Sequence, residues 1–167
     1  MLRTFLLLCL LIAWTSLQAT ACSCIGTSTI ASELKRTDFV AVGTVKARTR
    51  ITASAILKGA KHLPNLIPND TLALLYEYKY TIEVEEVYKG NKQQRIVEIL
   101  TGAGGGDCGV QFSVGSRYVI YADVRHTLTA HINGWQIKVP PYFTTDICTR
   151  TAEASETEIA ELRRIAP

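Results

Sequence analysis

The sequence predicts a mainly β fold: a small five-stranded OB-fold-like barrel, closed or partly open, with a short amino-terminal helix, a carboxyl-terminal helix and disulfide staples. Three observations predict it. About five short stretches carry strand signals, helical periodicity is confined to the two ends, and the cysteines are used as in an exported, cross-linked domain. A β-sandwich is the alternative, and strand order does not follow from the pattern. At 167 residues, 47% hydrophobic and 20% charged, the chain has the size and composition of one folded domain.

The elements follow in order. Ser28 to Lys35 reads as a short helix, with Ile30 and Leu34 four residues apart on one face. Asp38 to Val45 is rich in β-branched and aromatic residues and reads as the first strand. Arg48 to Asp70 is a long connection containing Pro64 and Pro68, suited either to fray or to form the tip of a long hairpin. Tyr76, Tyr78, Tyr80, Ile82 and Val84 then alternate with Glu77, Lys79, Thr81, Glu83 and Glu85. Period-two alternation places aromatics on one face and charges on the other. Glu85-Glu86 breaks the phase before Val87-Tyr88, as a β-bulge does, and Lys89-Gly90-Asn91 is turn chemistry.

Arg95 to Thr101 is the third strand, followed by the glycine run from Gly102 to Gly106. Arg117 to Val124 is mostly apolar and predicts a strand buried on both sides. Ala130 to Val139 adds one more, which Pro140-Pro141 is expected to end. Ser155-x-x-Glu158 has the form of a capping box, and Ile159, Leu162 and Ile165 fall on one face of the helix it opens.

The first residues read as a leader rather than as fold. Arg3 gives a positive start, Phe5 to Ala13 is a compact apolar block, and Ala19-Thr20-Ala21 is a small-x-small cleavage pattern. Residues 1–21 are therefore expected to be a signal peptide and 22–167 a single domain whose first residue is Cys22. Cleavage after Ala19 and lipidation of Cys22 are the alternatives. The apolar block is too short to span a bilayer. Secretion, or residence in a bacterial periplasm or envelope, is the expected localisation.

Cys9 leaves with the leader, so Cys22, Cys24, Cys108 and Cys148 remain. Direct Cys22–Cys24 pairing would close a strained ring, which leaves two connectivities joining each to a distant partner. Each bridge would close a loop of roughly 80 to 125 residues, worth on the order of 4 kcal/mol in the loop-entropy model. A four-cysteine zinc site is disfavoured by the C-x-C spacing and the oxidising setting.

The formal charge is +3, falls by one with the loss of Arg3, and gathers in no basic run. Nucleic acid and anionic membrane are thus unsupported as main partners. His62, His126 and His131 stand apart with no H-E-x-x-H motif, and read as surface or structural residues. The glycine run lacks the Lys-Ser/Thr of a phosphate loop and reads as a flexible connector. Glu83, Glu85 and Glu86 read as a solvated strand face. No nucleophile motif surrounds any serine, so an enzyme is not expected. Asn69-Asp70-Thr71 is a glycosylation sequon in a eukaryotic source.

Several motifs remain: the opening Cys22-Ser23-Cys24, Asp38-Phe39-Val40 running into Gly43-Thr44-Val45, Val84-Glu85-Glu86-Val87-Tyr88-Lys89-Gly90, Asp107-Cys108-Gly109, Tyr118-Val119-Ile120-Tyr121 and Cys148. From Cys22 to about Cys148 this series resembles the tissue inhibitors of metalloproteinases, in their netrin-like amino-terminal domain, which has an OB-fold. The resemblance implies pairing of Cys22 with Cys108 and of Cys24 with Cys148. It implies a metalloprotease inhibitor in which the α-amino nitrogen and carbonyl oxygen of Cys22 chelate the protease's catalytic zinc. Such a zinc has three protein ligands and an open position. An amine of pKa near roughly 8 supplies a neutral fraction for ligation.

By the same resemblance Ser23 enters the specificity pocket, Cys24 and Ile25 continue along the cleft, and Gly106 and Asp107 form a second contact segment. The chain then needs no cofactor of its own, meets zinc only within a target metalloprotease, and acts as a monomer. Gly26 stands where the family commonly has proline. Netrin-like domains also serve as binding modules, which is the alternative function. Inhibition is favoured because Cys22 abuts the cleavage pattern.

Overall fold

The protein is described by a computed structural model covering residues 22–24, 26, 28–51, 77–104, 106–129 and 136–166. Residues 1–21, expected from the sequence to be a leader, and Ile25, His62, Asn69, Tyr76, Gly105, His131 and most of the 48–70 connection lie outside these residues. The elements are α1 (Ile30–Arg36), β1 (Phe39–Arg50), β2 (Tyr78–Lys89), β3 (Ile96–Thr101), β4 (Arg117–Thr129), β5 (Gln136–Thr144), β6 (Ala152–Glu153) and α2 (Glu156–Ile165). No helix among them is long and apolar enough to cross a membrane.

The alternation in β2 does what period two requires. Tyr80, Ile82 and Val84 are buried and Glu83 and Glu85 are exposed. The expected bulge is present: Val42 and Gly43 of β1 face Glu86 and Val84, so Glu85 is passed over. That extra residue returns Val87 to the face of Tyr80, Ile82 and Val84, and sends Tyr88 to the opposite one.

Pairing closes the sheet on itself. β1 is antiparallel to both β2 and β4, β2 to β3, and β4 to β5, while β3 and β5 run parallel. The order β1-β2-β3-β5-β4, with β4 returning to β1, is a five-strand ring of the OB-fold-like kind expected. The sequence misses β6, a two-residue strand that adds to β4 opposite Tyr118 and Val119. Two residues carry no readable period.

The ring encloses one core and presents another. Phe39, Ala41 and Val45 of β1 and Tyr118, Ile120 and Ala122 of β4 point inward. Ring contacts Tyr80–Phe112 (4.9 Å), Phe112–Tyr118 (4.8 Å) and Phe39–Phe143 (4.9 Å) line that interior. Val40, Val42, Val119 and Tyr121 point outward under α1 and α2, where Leu34, Ile159 and Leu162 cover them. β4 is thus buried on both faces, as its apolar run predicts. Burying Ile159 and Leu162 completely is worth about 1.5–3 kcal/mol each. Arg163 pairs with Glu86, and Arg117 bridges Glu85 and Glu156, so the acidic face of β2 also orients α2.

Two expectations need correction. Pro140-Pro141 do not end β5, which continues to Thr144. They stand where the β4–β5 register is irregular, between the pairs Thr127–Lys138 and Arg125–Tyr142, and before β3 is reached at Phe143. No ladder pairing is asked of their missing N–H groups. At α2, Ser155 caps as expected by accepting from Glu158 N at 3.2 Å. The reciprocal half is absent, because the Glu158 carboxylate instead accepts from Tyr121 Oη at 2.7 Å and Arg150 Nε at 3.2 Å. A full capping box occurs at α1, between Thr29 and Ser32, where the sequence reading has none.

Candidate functional site: the amino-terminal disulfide corner

Three segments far apart in sequence meet where the described chain begins. Cys22 is bonded to Cys108 (Cα–Cα 5.5 Å) and Cys24 to Cys148 (5.2 Å), the connectivity the resemblance implies. Cys22 is half-buried, while Ser23, Cys24 and Gly26 are exposed. Two closely spaced bridges fix the short segment Cys22–Cys24, which belongs to no strand.

The loop carrying Cys108 winds around one carboxylate. Asp107 Oδ2 accepts from Ala103 N (2.5 Å), and Oδ1 accepts from Gly104 N (2.7 Å) and Gly109 N (3.0 Å). This winding brings backbone against backbone. A Cβ on Gly109 would sit 2.2 Å from the Gly102 carbonyl carbon, and one on Gly102 would sit 2.5 Å from the Asp107 carboxyl. Only glycine fits at either place. Cys108 is held at φ 60°, the one non-glycine residue with positive φ among those described. Gln111 Nε2 donates to Ala103 O at 2.7 Å, and Val110 N to Thr101 Oγ1 at 2.8 Å. Ala103 and Gly104 are therefore held in place, unlike the slack connector that the composition of the run suggests. Desolvation raises the Asp107 pKa, but the N–H groups of Gly109, Ala103 and Gly104 outweigh it and hold the carboxyl below its ordinary range.

The loop carrying Cys148 is built by the same device. Asp146 Oδ1 accepts from Cys148 N (2.8 Å) and Thr149 N (3.2 Å). Ile147 N donates to Cys108 O at 2.9 Å, which ties the two bridge loops together. Thr145 and Thr151 hydroxyls both donate to Tyr121 O, which moors this loop to β4. Arg150 reaches the other way, donating through Nη1 to Ser28 O at 2.7 Å while its Nε meets Glu158. The segment between Cys24 and α1 is thus joined to α2 through one guanidinium.

The corner gathers Cys22, Ser23, Cys24, Gly106 and Asp107, with the Gly106 carbonyl oxygen 3.6 Å from Cys22 Sγ. Ser23 and Gly106 present themselves to solvent, whereas both Asp107 oxygens are engaged by their own loop. Sequence reasoning missed Asp146, Arg150 and Ile147, whose side chain is 48% exposed beside the bridges. An aspartate one or two residues before a loop cysteine is a signal for the first of these, since its carboxylate satisfies the turn's N–H groups. Nothing in sequence marks the other two. His126 is exposed on β4, away from this corner's hydrogen bonds. Among the described residues no three His, Cys, Asp or Glu side chains gather as a metal site.

Fold and site together define a β ring closed by strand pairing, with the Cys22–Cys24 segment pinned by two disulfides at an exposed corner. Comparison with models of known protein families finds no match, and no curated protein matches the chain.

Proposed function

We propose that this protein is a secreted inhibitor of zinc metalloendopeptidases, acting through the amino terminus that leader removal creates at Cys22. The observation that carries the reading is the bridge of Cys22 to Cys108 beside exposed Ser23 and Cys24. A backbone amine and carbonyl oxygen fixed in place form a five-membered chelate with a metal that has an open coordination position. Fixing them in the free protein lowers the ordering cost of binding. Ser23 then enters the protease's specificity pocket, Cys24 and Ile25 follow the cleft, and the backbone of Gly106 and Asp107 makes the second contact. Two disulfides and an export-type leader pattern support an extracellular setting.

The test compares protein beginning at Cys22 with protein carrying one added alanine before it. Against a panel of zinc metalloendopeptidase catalytic domains, the extension should weaken inhibition by on the order of a hundredfold with unchanged melting. Equal inhibition by both forms overturns chelation. No inhibition by either overturns the inhibitor reading and leaves a netrin-like binding module in which C-x-C is only a staple.

A further inference from the structure

We infer that Asp107 is the positioning residue for the Cys22 terminus: its carboxylate gathers Ala103, Gly104 and Gly109 into the turn that delivers the Cys108 sulfur to Cys22. The function of this arrangement rests on the inhibitor reading, whereas the arrangement itself stands on geometry. Three backbone N–H groups from both sides of Cys108 converge on one side chain, those of Ala103 and Gly104 before it and Gly109 after it. Backbone N–H groups converging in this way form an anion-binding nest. Here the chain fills its own nest.

The glycines then have a stated purpose. Gly102 lies against the carboxyl, and Gly109 lies against Gly102. Between them Cys108 is turned to φ 60°, a conformation disfavoured for a residue with a Cβ. Something must hold it there. The disulfide is one restraint, the Asp107 hydrogen bonds are the second, and Ile147 N on Cys108 O is a third. Gln111 Nε2 on Ala103 O also braces the loop, but Asp107 supplies three of its internal bonds, so its loss frees Cys108 to relax while both bridges remain.

A charged acceptor serving three donors also ranks its replacements. In Asp107→Asn, one oxygen still accepts from Gly104 and Gly109, but an NH2 group faces Ala103 N, donor against donor. In Asp107→Ala all three donors lose their partner. The expected order of effect is therefore wild type, Asn, then Ala.

Both variants are made in the full mature chain and read three ways. In wild type the amide protons of Ala103, Gly104 and Gly109 should resonate downfield, as carboxylate-bound N–H groups do. Asp107→Asn should move Ala103 most, and Asp107→Ala should move all three. Under graded dithiothreitol, with alkylation and peptide mapping, Asp107→Ala should open Cys22–Cys108 earlier while Cys24–Cys148 keeps its wild-type place. Against a metalloendopeptidase catalytic domain that the wild type inhibits, Asp107→Ala should bind about tenfold more weakly, and Asn should fall between.

Unmoved amide resonances with an unchanged reduction order overturn the positioning role, whatever happens to inhibition. Moved amides with unchanged inhibition also overturn it, because the loop would then be shaped without consequence for the terminus. If wild type inhibits nothing, the inhibitor reading fails, and the amide and reduction readouts still decide whether Asp107 sets the bridge.

Discussion

Tyr88 and Tyr121 both bury their rings under the helices, at 3% and 0% exposure, yet their hydroxyls have different surroundings. Tyr121 Oη donates to Glu158 Oε1 at 2.7 Å, on the same oxygen that Arg150 approaches. Burial, then Glu158, raises its pKa, so it remains a protonated donor to a charged acceptor. Tyr88 is pushed up to about 12, by burial first and then by the neighbouring Glu86 carboxylate. Its oxygen nonetheless makes no hydrogen bond of ordinary geometry. A bond to a charged partner contributes about 1.5–3 kcal/mol, whereas an unpaired buried hydroxyl contributes nothing that its removal would lose. Tyr121→Phe should thus cost about 1.5–3 kcal/mol and Tyr88→Phe about zero, read from urea unfolding with a common m-value. Equal losses would refute this division. At this scale the sequence is silent, since both tyrosines look alike until α2 brings Glu158 beside one of them.

At the scale of elements, α1 is a seven-residue helix that contributes Leu34 to the outer core. So short a helix is marginal by itself, and its ends must be satisfied. Thr29 Oγ1 accepts from Ser32 N (3.1 Å), Ser32 Oγ accepts from Thr29 N (2.9 Å), and Lys89 Nζ donates to the carbonyls of Leu34 and Lys35 at 2.9 Å. Thr29→Ala should cost about 1 kcal/mol. Combined with Ser32→Ala, the loss should fall short of the sum, because each residue serves the other's backbone. Strict additivity in denaturant midpoints would show two independent caps instead.

What was legible in the sequence divides along the same physics. Where burial writes a period, as in β2, β4 and α2, the elements and even the Glu85 bulge were readable. Where backbone pairing works without burial, they were not. β1 runs on through exposed Lys46 to Arg50, held to β2 by register and by Lys46–Glu83, and to the residue before β2 by Arg50–Glu77. Proline likewise misled at β5, since its penalty applies only where a ladder bond is required. At the site, chain order supplied the cysteines, but the carboxylates that shape their loops bond to backbone and leave no apolar trace.

The whole molecule is a ring tied twice at one corner. The bridges span 86 and 124 residues, and either alone would be worth about 4.5–5 kcal/mol in the loop-entropy model. They are not independent, because they start two residues apart. With one closed, the other closes only a circuit of roughly 40 residues, worth about 4 kcal/mol whichever is second. The two bridges should therefore look alike in stability. In function, under the inhibitor proposal, they should not, for only the first holds the proposed terminus at Cys22. Cys22→Ser/Cys108→Ser and Cys24→Ser/Cys148→Ser should each lose about 4 kcal/mol in guanidinium unfolding. At 25 °C, with both still folded, the first pair should inhibit on the order of a hundredfold more weakly, since its amine must now be ordered on binding. The second, still anchored through Cys108, should weaken by about tenfold or less. Matching losses of inhibition in the two pairs would place the bridges in the scaffold alone and remove Cys22 from the contact.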